Sequence, residues 1–323
     1  MTDVVGVGNA LLDIVVHTTQ EFPTAHGFVH GTATMVDEKT SDDLYARVGA
    51  ATEVSGGSAA NTVVGLASFG ASAGYIGRVA DDQLGEVFVH DLRASGVRFD
   101  VAPADDGASS GRCIVMVTPD AQRTMCTYLG ASAELAPVDI DEQMITESRI
   151  LYLEGYLWDE PPAKEAMRRA ISVAQDHGVR VAFTLSDPFC VERHRSEFLG
   201  LVEENVDVLF ANEHEIIALY EVADFEQAVA AVRGHCDTAA LTRSALGSVV
   251  LDDSEIVTVA PAHVGEVVDT TGAGDQYAAG FLYGLLRGAD ASECGRLGSI
   301  AAAEVITHLG ARPALSLAEL VRR

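Results

Sequence analysis

Asp269-Thr270-Thr271-Gly272-Ala273-Gly274-Asp275 sets a turn of small residues, three unhindered amides and a carboxylate at the head of an apolar helix. The first amides of a helix have no internal partners and lie at the positive end of its dipole, so they hold phosphate wherever no side chain blocks the approach. Gly272, Ala273 and Gly274 leave that approach open. A carboxylate in the same turn, Asp275, can take the proton of an alcohol while the amides neutralise charge on a transferring phosphoryl group. The spacing reads as a phosphoryl-transfer site, although an ordinary capping turn would use the same residues. Ala278, Phe281, Leu282, Leu285 and Leu286 share one face at helical spacing, and Gly288 ends the helix.

Four other constellations carry polar groups into apolar surroundings. Gly6-Val7-Gly8-Asn9-Ala10-Leu11 lacks the third glycine of a dinucleotide fingerprint, so an oxidoreductase reading is weak. Asp13 lies within an apolar strand, where an unpaired carboxylate is costly, and reads as a hydroxyl ligand ahead of a structural ion pair. Gly56-Gly57-Ser58-Ala59-Ala60-Asn61 opens a helix; Ser58 is either a plain cap or part of a site where backbone approaches a ligand and Asn61 binds its hydroxyls. Asn212-Glu213-His214-Glu215 follows a strand and offers oxygen donors suited to water-bridged magnesium, or simply an acidic helix start. Thr242-Arg243-Ser244-Ala245-Leu246-Gly247 could form a nucleotide-binding turn.

The elements that must position these residues alternate. Strands are expected over 4–8, 11–16, 73–76, 151–153, 180–185, 206–210 and 238–241, with helices over 58–69, 82–94, 163–177, 192–204 and 213–220. That alternation predicts an α/β fold with a mostly parallel sheet covered on both faces, its ligands bound at the strands' carboxyl ends. Segments 32–36, 111–118 and 123–128 are β-rich without an intervening helix between the last two. They predict a small sheet projecting over the site, able to exclude water during transfer.

With 323 residues, 48% of them hydrophobic, the chain can bury a large core. No apolar run approaches the roughly 20 residues that span a bilayer, and the start of the sequence has no basic leader. Cys113, Cys126, Cys190, Cys236 and Cys294 are odd in number and form no C-x-x-C pair, which predicts reduced thiols and a cytoplasmic setting. A net charge of −27, from 48 acidic and 21 basic residues, argues against nucleic acid or an anionic membrane as partners. A kinase in that field must gather cations locally or use magnesium.

Taken together, the sequence resembles the ribokinase-like (PfkB) family of carbohydrate and nucleoside kinases over nearly its whole length. Gly56 to Asn61 with Gly77-Arg78-Val79-Ala80-Asp81-Asp82-Gln83-Leu84-Gly85 is similar to the first family signature, and 269–275 to the second. Asn212 and Glu215 match the family's N-x-x-E motif. The resemblance implies one three-layer α/β/α kinase domain over 1–323 with a β lid from about 14–50 and 98–131. It implies Asp275 as catalytic base, Gly272, Ala273 and Gly274 as anion hole, and Asn9, Asp13, Gly56, Gly57, Ser58 and Asn61 around the acceptor's hydroxyls. ATP is expected across Thr242, Arg243 and Gly247, with Thr271 near its phosphates and 301–305 alongside. Magnesium is expected at Asn212 and Glu215 through water, and a monovalent cation such as potassium near Asp269 and Thr271.

Within the family the likeness is to adenosine kinases, carried by residues 8–14, 185–189 and 206–213. It implies that Arg123 reaches the transferred phosphate, that Leu129, Ala131 and Tyr156 flank the base, and that the 5′-hydroxyl of adenosine is the acceptor. Guanosine, inosine, ribose, fructose and 2-keto-3-deoxygluconate are the alternatives, and a homodimer through the lid is a further expectation. A non-catalytic nucleoside-binding protein would have an altered residue at Asp275, which is intact.

Overall fold

The computed structural model describes residues 2–120, 122–252 and 255–322. Met1, Ala121, Asp253, Ser254 and Arg323 lie outside them, so the expected lid span 98–131 is described except at Ala121. Among the described residues fourteen strands form two sheets: β1 Val4–Val7, β2 Leu11–His17, β3 Ala33–Met35, β4 Ala51–Gly56, β5 Ala73–Ile76, β6 Val97–Arg98, β7 Gly111–Val117, β8 Arg123–Tyr128, β9 Ile150–Glu154, β10 Arg180–Thr184, β11 Val208–Asn212, β12 Thr238–Thr242, β13 Ser248–Asp252 and β14 Ile256–Val259.

The large sheet runs β14-β13-β12-β11-β10-β9-β1-β5-β6. It is parallel from β12 to β6, and β13 and β14 add an antiparallel edge. Successive side chains on a strand face opposite ways, and apolar residues on both sides make both faces buried. Val5, Val7, Leu151, Leu153, Val181 and Phe183 pack under helices Pro161–Asp176 and Pro188–Glu204. Their neighbours Val4, Ile150, Tyr152, Ala182 and Phe210 pack under helices Ser58–Ser68 and Ala273–Leu286. The result is an α/β/α sandwich. Its chain order reverses between β1 and β9, and such a switch point opens a crevice at the carboxyl ends of the strands.

The second sheet, β3-β8-β7-β2-β4, leaves the first where β1 runs through Asn9 into β2. Ile14, Val16, Ile114, Met116 and Cys126 on one face pack with Leu44 of helix Glu38–Tyr45, and with Phe22, Phe28 and Val36. The opposite face carries Val15, Cys113, Val115, Val117 and Met125 over the crevice.

Several elements differ from their sequence-based bounds. The strand expected over 206–210 lies at Val208–Asn212, because Val206 and Asp207 form the entry turn, where the Asp207 carboxylate accepts from Val181 N. Helix Pro188–Glu204 starts four residues early: Asp187 caps it and Pro188 suits its first position. β4, β6, β13 and β14 have no counterpart in the expected set, being short or mixed in polarity.

Two helices cross with almost no space between them. A Cβ placed on Gly280 would lie 2.3 Å from the Leu297 carbonyl oxygen and 2.8 Å from Gly298 Cα, both backbone atoms of helix Ala291–Val305. Gly200, on helix Pro188–Glu204, faces open space. Gly280→Ala should therefore destabilise the protein by about 1–3 kcal/mol through overpacking. Gly200→Ala should stabilise it by roughly 0.5–1 kcal/mol through helix propensity. Urea unfolding of the two variants checks the pair; equal shifts would mean that the crossing tolerates a methyl group.

Candidate active site

Asp275 occupies the first turn of helix Ala273–Leu286, directly over the crevice. The turn ahead of it needs Gly272, whose φ is +76°, in the left-handed region that favours glycine. An added Cβ there would also strike Ala311, whereas one at Gly274 would meet nothing within 4 Å. The approach to the first helical amides is therefore open on the Gly274 side. The carboxylate of Asp275 accepts from Ser58 Oγ at 2.7 Å and from Asn61 Nδ2 at 3.0 Å. Loss of water pushes its pKa up to about 6, against the pull of those two donors. At neutral pH it is mostly ionised, with a proton affinity close to that of the medium, as a general base requires.

Ser58 is not the helix cap. Gly57 is, with φ +92°, and a Cβ there would lie 2.1 Å from the Asn9 carbonyl oxygen. This close passage places Ser58 at the first helical position, free to cross to Asp275. Gly56 serves the same passage, since its Cβ would lie 2.3 Å from an Asp13 carboxylate oxygen.

Glu154, at the carboxyl end of β9, has no exposed surface. One of its oxygens accepts from Asn9 N at 2.8 Å and Asn9 Nδ2 at 2.9 Å; the other accepts from Ala59 N at 2.8 Å. Burial pushes it up to about 7, and the nearby Asp275 adds to the rise while the three N–H donors oppose it. Asn9 is thus turned into the protein, toward Glu154.

A cavity of about 400 Å³ lies between the two sheets. Val15, Val54, Val115 and Val117 of the lid sheet form an apolar wall, and Asp13, Asn61, Arg123, Asp269, Thr271 and Arg312 provide the polar one. Burial pushes Asp13 up to about 7; the positive charge of Arg312 lowers it and Asp275 raises it further. Arg123 reaches from β8 across the cavity and pairs with Asp269, donating also to Thr271 Oγ1. Asp269 additionally accepts from Thr271 N at 2.6 Å and Gly310 N at 3.0 Å.

Farther along the strand ends, Asn212 and Glu215 form a reciprocal cap. Asn212 N donates to one Glu215 carboxylate oxygen at 2.8 Å, and Glu215 N donates to Asn212 Oδ1 at 2.9 Å. Burial pushes Glu215 up to about 7, with further contributions from Asp187 and Asp275. Tyr156 donates to the Ser186 carbonyl at 3.3 Å and is held well above its usual pKa by burial and by Asp187 and Glu215. Arg243 pairs with Glu213 at 3.0 Å and stacks over Phe225 at 4.2 Å. Thr242 ends β12, and Gly247, at φ +83°, turns the chain tightly against Val259.

The structure gathers Asp13, Ser58, Asn61, Arg123, Asp269, Thr271 and Asp275 around one crevice and places Tyr156, Asn212 and Glu215 beside it. Leu129 and Ala131 are not walls of the cavity. The Leu129 carbonyl packs against Gly111, and Ala131 is fully buried in the turn Gly130–Glu134, donating its amide to the Ser109 carbonyl. The apolar side chains that do line the cavity from the lid sheet are the valines. Glu154 and Arg312 escaped the sequence reading. A charged residue ending the apolar strand Ile150–Glu154 was a usable signal. Arg312 gave none, since Asp91 and Asn61, which it contacts, lie 221 and 251 positions away.

The description "pfkB family carbohydrate kinase" matches residues 29–317. A 5-dehydro-2-deoxygluconokinase of Bacillus subtilis is 28% identical over 83% of this chain and 85% of its own. The solved adenosine kinase from Sinorhizobium meliloti is 47% identical, with a TM-score of 0.93 over 99% of this chain and 98% of the other. A probable sugar kinase from Rhizobium etli is 43% identical, also with a TM-score of 0.93, over 100% of this chain and 98% of its own.

Glu154 gives a prediction with a definite sign. A carboxyl raised from 4.5 to about 7 on folding binds its proton more tightly in the native state, so its contribution to stability falls as pH rises from about 4.5 through 7. Glu154→Gln removes that titration and leaves one N–H donor, that of Ala59, facing an amide that cannot accept, a cost of about 1–3 kcal/mol. The variant should therefore be less stable than the wild type at pH 5, and the gap should narrow toward pH 8. Urea unfolding at both values measures it; a pH-independent gap would show that Glu154 does not titrate in this range.

Proposed function

The chain belongs to the pfkB family of carbohydrate kinases, and from that premise we propose that it transfers the γ-phosphoryl group of ATP to the 5′-hydroxyl of adenosine. The observation that carries the transfer is Asp275, held by Ser58 and Asn61 at the N-terminus of a helix whose first amides are open to a ligand. In this reading Asp275 takes the hydroxyl proton as the phosphoryl group arrives, and the amides of 272–274 receive the charge. Asp13 and Asn61 bind ribose hydroxyls, and Arg123 leaves Asp269 for the transferred phosphate, a task suited to a guanidinium. The nucleotide lies along Thr242 to Gly247.

Adenosine is favoured over a free sugar by the valine wall. A planar base buries apolar surface there, whereas a sugar's hydroxyls would find no partners on Val15, Val54, Val115 and Val117. The 47% identity to an adenosine kinase supports the same choice. A sugar kinase is the second reading, favoured by the B. subtilis relative and the R. etli structure.

Magnesium fits the other end of the crevice. Glu215 lies within the fields of Asp187 and Asp275, and a divalent cation held by Asn212 and Glu215 through water would relieve that repulsion and screen the phosphates. A monovalent cation at Asp269 and Thr271 fits less well, because Arg123 already neutralises Asp269; rates in potassium and in sodium test it. A cytoplasmic setting is part of the proposal, supported by five unpaired cysteines. Among the described residues no helix is long and apolar enough to cross a membrane. A homodimer through the lid would have to form around the helix that covers its outer face.

ADP release with magnesium-ATP should give its highest kcat/KM with adenosine among adenosine, guanosine, inosine, ribose, fructose and 2-keto-3-deoxygluconate; a preferred free sugar would overturn the acceptor assignment. Asp275→Asn should remain folded and lose about 10²- to 10⁴-fold in turnover. Near-normal turnover by that variant would remove Asp275 from the role of base.

A further inference from the structure

Arg312 lies in the segment after helix Ala291–Val305, and three buried side chains fix the segment from below. Asp269 accepts from Gly310 N at 3.0 Å. Gln276, next to Asp275, donates to the carbonyls of both Ala311 and Asn61 at 3.0 Å. Glu304 accepts from Ala314 N at 3.0 Å and Leu315 N at 2.9 Å. So anchored, the Arg312 guanidinium is largely buried and points two of its nitrogens at different parts of the fold. Nε donates to Asn61 Oδ1 at 3.4 Å, and Nη1 to Asp91 at 3.1 Å. Asp91, on helix Gln83–Ala94, in turn accepts from Ser55 N at 2.9 Å and from the Ser55 hydroxyl, on lid strand β4. Nη2 is buried and has no hydrogen-bond partner among the described residues.

A guanidinium only donates and an ionised carboxylate only accepts. Asn61 lies between the two, so its carbonyl must face Arg312 and its amide nitrogen must face Asp275. We propose that Arg312 is a positioning residue: through Asn61 it orients the hydrogen bond to Asp275, and through Asp91 and Ser55 it ties that orientation to the base of the lid. The inference rests on the kinase reading of the crevice and holds for whichever acceptor is used.

Its charge adds a second effect. The charges facing Asp13 are Arg312 and Asp275, with the neutral Cys113 thiol beside it on β7. Arg312 is itself faced by Asp91, Asp13 and the neutral Tyr75 phenol. Around Asp275 lie Asp13, Glu154, Glu215 and the phenols of Tyr152 and Tyr156. Arg312 is the cation among these groups. Its loss leaves Asp13 with one like charge and no opposing one, so Asp13 holds its proton to higher pH.

The test compares Arg312→Met and Arg312→Lys with the wild type, using the acceptor that the wild type turns over best. In Arg312→Met, kcat/KM at pH 7 should fall about 10- to 100-fold, and the acid limb of its pH profile should move to higher pH. Arg312→Lys keeps the charge but not the fork, so it should retain the wild-type limb while losing part of kcat. A loss that only follows the folded fraction in thermal melts, with both limbs unmoved, overturns the proposal, and so does a Lys variant with full kcat. NMR titration of carboxyl-labelled aspartate in Arg312→Met reads the coupling without any acceptor: an upward shift of Asp13 supports it and an unchanged titration overturns it. A wild type silent on every acceptor would instead count against the kinase reading, with the Asp13 titration still deciding this one.

Discussion

A carboxyl group cut off from water is what the crevice is built around. Glu154 ends the central strand β9 and receives N–H donors from Asn9 and Ala59. Asn9 lies at the junction where the chain leaves the large sheet for the lid, and Ala59 lies in the first turn of the helix that carries Ser58 and Asn61. One side chain therefore sets the origin of the lid relative to the helix that holds Asp275. The glycines nearby follow from the same constraint. A Cβ on Gly8 would lie 2.6 Å from a Glu154 carboxylate oxygen, and one on Gly57 would overlap the Asn9 backbone. A buried acid satisfied by backbone amides fixes orientation more tightly than an apolar contact could, because each unmade bond costs a full desolvation penalty.

The same region concentrates negative charge in a chain already at −27. Asp13, Glu154, Glu215 and Asp275 are all pushed toward neutrality, chiefly by burial, and Asp275 contributes to the rise of the other three. A phosphate donor would enter such a field only with its own cation, and the arginines that line the cavity, Arg123 and Arg312, are engaged by Asp269 and Asp91. The two differ in setting. Arg123 stands on lid strand β8 and its partner Asp269 lies outside the lid sheet, whereas Arg312 lies in a segment that Asp269, Gln276 and Glu304 all hold.

Local signals made the large sheet and the glycine turn legible. Apolar runs of four or five residues between amphipathic helices predict a parallel sheet, and Gly272-Ala273-Gly274-Asp275 states its geometry in residue types alone. The lid was partly legible: β7 and β8 are β-rich runs with no helix between them, while β4, Ala51-Thr52-Glu53-Val54-Ser55-Gly56, mixes polar and small residues and acquires its form from pairing with β2. Ser58 misleads locally because a serine before an apolar run reads as a cap, and only the tertiary approach of Asp275 redirects its hydroxyl. Leu129 and Ala131 were implied only by the family resemblance; neither lines the cavity between the sheets, and Ala131 is buried in the turn Gly130–Glu134. Long-range pairs such as Arg312 with Asp91 leave no periodic trace, so they are visible only after folding.

The two walls of the cavity answer to different requirements. The polar wall is made at strand ends and helix starts of the large sheet, where backbone geometry dictates residue type: glycine at positive φ, an acid near free amides, an amide between a cation and a carboxylate. Those positions can change little without losing the phosphoryl-transfer geometry. The apolar wall is made of alternating residues on the inner face of β2, β4 and β7, where any side chain of suitable volume keeps the sheet intact, since the outer face alone packs against Leu44, Phe22 and Phe28. Val15, Val54, Val115 and Val117 are not among the groups that hold Asp275, which are Ser58 and Asn61. Proteins similar to this chain bear the names of both sugar and nucleoside kinases, as expected where fold does not fix substrate. The apolar wall lies on the lid, outside the glycine turn that makes the family recognisable.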